Sequence, residues 1–132
     1  MKQSPLLEFE SSAFAVVAGE DDATNAGLFG KALAEWLAGE LRVAGIAAGG
    51  VIAEDFGWCV PVSVPPHRLH VACASSEDAP DQWRVFAFAE GGLVARLLGR
   101  DTSAESLGAL FIAVRRCLES HPEVRGLHEE PA

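Results

Sequence analysis

Glu54-Asp55-Phe56-Gly57-Trp58-Cys59-Val60-Pro61-Val62 carries two adjacent carboxylates and two aromatic rings around a glycine, straight into a run with strand character. Trp58, Val60, Val62 and Val64 alternate along it, the period-two mark of a strand with one face toward a core. Pro65-Pro66 breaks the run, and Arg68 to Ala74 resumes it with Leu69, Val71 and Cys73 on one side. Ser75 to Asp81, with Pro80, reads as a polar turn, and Trp83 to Ala89 as the next strand. Connections this short favour an antiparallel meander. In the last strand Trp83, Val85 and Ala87 oppose Phe86 and Phe88, so both faces are apolar and both need cover.

Upstream, Phe29, Leu33, Trp36, Leu37 and Leu41 recur at helical spacing, with Lys31, Glu35 and Glu40 largely off the stripe. The spacing predicts a helix from Thr24 to Val43, capped by Thr24 or Asn25 with Asp21 and Asp22 just before it, and closed by Gly45. At about 1.5 Å per residue such a helix would be roughly 30 Å long and cross a whole sheet. Residues 6–18 read as strand, broken at Ser11-Ser12. Gly91 to Arg100 is ambiguous between a short helix and a strand extension. Asp101-Thr102-Ser103 opens a final helix whose buried stripe is Leu107, Leu110, Phe111, Val114 and Leu118, ended by Pro122. The segment from about residue 123 reads as a loose polar tail. The expectation is one α+β domain over residues 1–132, two-layered, an antiparallel sheet packed with two helices in the order β-α-β-β-β-α.

Composition narrows the function classes. A formal charge of −9 with only 10 Lys and Arg against 19 Asp and Glu argues against nucleic acid and against an anionic membrane surface. A basic protein partner fits better. No stretch approaches the roughly 20 apolar residues that span a bilayer, and no signal peptide is evident, so the expected compartment is the cytoplasm. Cys59, Cys73 and Cys117 are odd in number, widely spaced and set in apolar segments. They read as small buried hydrophobes and not as a disulfide framework or zinc knuckle.

The chemistry-bearing groups are few. Glu54 and Asp55 are adjacent, and on an extended chain adjacent residues face opposite ways, so they make no acid/base dyad unaided. His67 and His70 stand three apart on a strand and likewise diverge. There is no metal-binding His/Cys grouping, no phosphate loop and no nucleophile elbow, so no metal, no cofactor and no catalytic residue is assigned. The candidate binding residues are Glu54, Asp55 and Trp58. The expectation at this turn is that Gly57 meets a backbone requirement, Asp55 accepts backbone hydrogen bonds, Trp58 enters the core with its N–H partnered, and Glu54 stays free.

Asn25-x-Gly27, Gly30-x-x-Leu33-x-x-Trp36-Leu37 and Glu54-Asp55-Phe56-Gly57-Trp58 together resemble a group of small uncharacterised bacterial domains with an E-D-aromatic-G-W motif, over roughly residues 20–90. The resemblance implies a bacterial α+β domain and no catalytic residues. The leading expectation is a non-catalytic protein-interaction module, one form being an immunity-type protein that neutralises a basic partner. The rival is a small-ligand-binding domain or hydrolase using Glu54, Asp55 and Trp58. Because two helices leave part of a two-faced apolar sheet uncovered, a homodimer is also expected.

Overall fold

The computed structural model describes residues 2–76, 79–90 and 103–131. These form seven strands: β1 (Lys2–Gln3), β2 (Leu6–Glu10), β3 (Ile52–Glu54), β4 (Gly57–Val64), β5 (His67–Ser76), β6 (Ala79–Ala89) and β7 (Arg125–Glu130). Two helices accompany them, α1 (Lys31–Val43) and α2 (Ser103–Ser120). Every pairing is antiparallel, in the order β3-β4-β5-β6-β2-β7, with β1 alongside β6. The meander therefore runs from β3 to β6, and the N-terminal strand joins its far side. Gly91 to Arg100 lies outside the described residues.

Both helices pack on one face of this sheet, α1 against β4 and β5 and α2 against β6 and β1, giving the two-layer α+β arrangement. Leu33, Leu37 and Leu41 of α1 and Leu107, Leu110, Val114 and Leu118 of α2 are buried against Trp58, Val60, Val62, Leu69, Val71, Trp83 and Val85. Leu7 and Phe9 extend the core into β2, and Phe14 continues it beyond the strand. Trp83 donates its indole N–H to the Ser11 carbonyl at 3.0 Å, which anchors the chain where β2 ends. Phe111 is only partly buried at the edge of this core.

The structure corrects four boundaries. The first helix starts at Lys31 and has 13 residues, so it spans about 20 Å and covers only part of the sheet. Residues 24–30 form a loop instead, because Gly27 and Gly30 adopt φ of 82° and 152° and the chain folds back on itself. There Thr24 Oγ1 donates to the Leu28 carbonyl at 2.7 Å and the Gly27 N–H donates to Asp21 Oδ2 at 2.8 Å. At the other end the expectation holds: the N–H groups of Gly45 and Ile46 donate to the Arg42 and Leu41 carbonyls, a Schellman closure with Gly45 at φ 85°.

Residues 11–18 contribute no strand, since β2 ends at Glu10 just before the serine pair. The polar turn expected over Ser75–Asp81 is shorter, because β5 runs to Ser76 and β6 resumes at Ala79. The segment expected to be a loose tail is strand β7, hydrogen-bonded along β2 as an edge of the sheet.

Candidate functional site

The Glu54–Trp58 stretch is a β-hairpin corner. Glu54 closes β3 opposite Gly57, and Asp55-Phe56 form the two-residue turn between them. Gly57 is buried with φ 142°, and a Cβ there would stand 2.6 Å from the Cys73 carbonyl oxygen and 2.9 Å from the Ala74 Cβ. Gly30 approaches the same carbonyl, its Cβ position also falling 2.6 Å from it. Two glycines thus let the hairpin corner and the start of α1 close on one peptide of β5, and no side chain would fit at either place.

A buried carboxylate fixes the same region. Glu20 Oε1 accepts the Val17 N–H at 2.8 Å, while Oε2 accepts the N–H groups of Gly30 at 3.3 Å and Lys31 at 3.0 Å. It satisfies donors at the positive end of α1. The sequence points to Asp21 and Asp22 for this role, and nothing in Gly19-Glu20-Asp21-Asp22 distinguishes the three acids until the loop closes. Asn25 ties the loop to the hairpin by donating from Nδ2 to the Asp55 carbonyl at 2.6 Å. Ser75 Oγ joins them further, accepting from the Phe29 N–H at 3.0 Å and donating to the Gly27 carbonyl at 3.3 Å.

Of the three candidate residues, Glu54 and Asp55 are exposed at the corner and Trp58 is turned into the core. They do not converge. Asp55 departs from expectation: its carbonyl takes the Asn25 bond, and its carboxylate accepts none from the described residues. Trp58 enters the core as expected, 8% exposed, with Lys31 Nζ 5.4 Å above its ring. Its indole N–H, expected to be partnered, has no hydrogen-bond acceptor among the described residues.

Phe56 leads from this corner onto the face of the sheet opposite the two described helices. Its ring lies 5.9 Å from Phe88 and 6.4 Å from Phe86, and Phe88 stacks on His70 at 4.9 Å. Beneath them Cys59 and Ala72 are buried, side by side in the register of β4 and β5. Phe56 itself is 44% exposed and Ile52, paired with Cys59, is 40% exposed. Glu54 and Asp55 flank this aromatic patch at the hairpin, and Glu90 flanks it beyond Phe88, where its Oε1 is 2.6 Å from His70 Nε2. The sequence pairing of Phe86 with Phe88 signalled a second apolar face. Phe56 joining it required the hairpin.

The three cysteines are not poised as nucleophiles. Burial, with a smaller contribution from Glu54, pushes the Cys59 thiol up from 9.0 to about 12, and burial pushes Cys73 and Cys117 up as well. A thiol so raised stays protonated and is a poor nucleophile. A cleft of about 320 Å³ lies along Ser63, Arg68, His70 and Glu90, and one of about 300 Å³ between Ile46, Val64 and Leu110. Neither is lined by Glu54, Asp55 or Trp58. Among the described residues no helix is long and apolar enough to cross a membrane. Compared with protein-family models, curated proteins and solved structures, the chain matches none of them.

Proposed function

We propose that this chain is a non-catalytic protein-interaction module of the bacterial cytoplasm, of the E-D-aromatic-G-W type, and that it engages a basic protein through the Phe56 corner on the face of its sheet opposite the described helices. The observation that carries the reading is the exposed aromatic ring of Phe56, seated with Phe86 and Phe88 beside the free carboxylates of Glu54 and Asp55. An aromatic centre with a polar rim is the composition of a binding surface. The chain's charge of −9 favours encounter with a cationic partner, as in an immunity-type protein that neutralises a basic toxin. Nucleic acid and membrane surfaces carry the wrong charge for such a face.

A photo-crosslinking phenylalanine analogue at position 56, expressed in cells, tests the reading. The control places it at Val43, which is 85% exposed on the opposite, helical side. The expected result is a discrete adduct with a second protein from position 56 and none from position 43. An adduct of the chain with itself from position 56 would identify this face as a homodimer interface instead. No adduct, or the same adduct from both positions, would contradict the proposal.

A further inference from the structure

At the other edge of the same sheet, we propose that Glu8, His128 and Glu130 bind a divalent transition-metal cation. The register of β2 and β7 pairs Glu8 with His128 and Leu6 with Glu130. His128 and Glu130, two apart on a strand, therefore share a face, and Glu8 joins them from across the ladder. One ligand atom from each of the three lies within 4.8 Å of the others.

The histidine is oriented as a ligand. His128 Nδ1 is 2.8 Å from the Gly126 carbonyl oxygen. A carbonyl only accepts, so Nδ1 carries the hydrogen and donates it. In the neutral ring this leaves Nε2 with a lone pair, and Nε2 stands 3.6 Å from Glu130 Oε1. Two acceptors this close are mismatched unless a proton or a metal cation is shared between them. Donation of the second ring N–H to a backbone carbonyl is the usual outer support of a metal-bound histidine. Zinc bonds to nitrogen and oxygen of about 2.0–2.2 Å place tetrahedral ligands roughly 3.4 Å apart; His128 and Glu130 at 3.6 Å nearly meet this, and Glu8, within 4.8 Å of both, would close in on binding. Arg84 Nε stands 3.5 Å from Glu8 Oε2 and holds that carboxylate in place, leaving its other oxygen for the ion.

One imidazole and two carboxylates make a mixed nitrogen and oxygen set, suited to Zn²⁺ or Mn²⁺ and not to a soft ion such as Cu⁺. The three side chains are partly or fully exposed, so water would complete the coordination. The competing account is a plain ion pair, with His128 protonated and bonded to Glu130 and no metal involved.

Isothermal titration of the full chain with Zn²⁺, after treatment with a chelator, separates the two. The expected result is one-to-one binding that weakens by roughly tenfold to 100-fold or more in His128→Ala and in Glu130→Gln. His70→Ala, which removes the histidine of the separate His70–Glu90 pair, should bind Zn²⁺ as the parent does. Thermal melts of the three variants confirm that each is folded. A parent chain that does not bind Zn²⁺, a His128→Ala variant that binds it equally well, or a loss caused by His70→Ala would overturn the proposal.

Discussion

Gly57 and Glu20 are the residues on which the candidate surface is built, and the carboxylates beside them are free. At Gly57 any side chain meets both a positive φ and the Cys73 carbonyl. Gly57→Val should therefore destabilise the fold by roughly 1–3 kcal/mol or more. Glu20→Ala leaves the buried Gly30 N–H and the part-buried N–H groups of Val17 and Lys31 without this acceptor and should cost roughly 1–3 kcal/mol. Glu54→Gln and Asp55→Ala remove exposed carboxylates with no hydrogen bond from the described residues, and each should stay within about 0.5 kcal/mol. Thermal melts of the four variants check this order. If Asp55→Ala proved as damaging as Gly57→Val, the carboxylate would hold the turn after all. The backbone demand at Gly57 was legible because a glycine between two aromatics at a strand entry marks a turn or a close approach. The role of Glu20 was not, since one acid among three in a turn is selected only by where the chain returns.

At the scale of elements, legibility followed burial. The stripe of α2 was readable because Leu107, Leu110, Val114 and Leu118 recur at helical period, and all four are buried. Phe111 fell into the same pattern but is only partly buried, so its contribution is smaller than the sequence suggested. Leu118→Ala should cost roughly 2–5 kcal/mol, and Phe111→Ala less than Leu118→Ala. Denaturant midpoints measure both, and the reverse order would move Phe111 to the centre of the core. Strand β7 escaped notice for the opposite reason. Arg125 to Glu130 is an edge strand whose residues are exposed or half-buried, so no apolar alternation marks it. With that strand unseen, His128 and Glu130 had no shared face, and their meeting with Glu8 could not be read. The early start given to α1 has another cause. Thr24 and Asn25 are good helix caps and Phe29 falls on the apolar stripe, and only the φ values of Gly27 and Gly30 exclude the helix.

Among the described residues the two helices lie on one face of the sheet and a cluster of aromatics with carboxylates beside it on the other, and this asymmetry is what the functional account rests on. The sequence announced both faces as apolar and asked for cover on each. It could not show that Phe56 folds from the hairpin onto Phe86 and Phe88. Complementary charge should act mainly on the rate of encounter, so association with a basic partner should slow as salt rises, while the aromatic centre should set how long the complex lasts. The most direct measurement is the affinity of the chain and of its Phe56→Asp variant for the partner that crosslinks at position 56. The account predicts binding weaker by roughly tenfold or more in the variant, as expected of a central aromatic contact, with the thermal melt little changed. Equal affinity of the two proteins would contradict it.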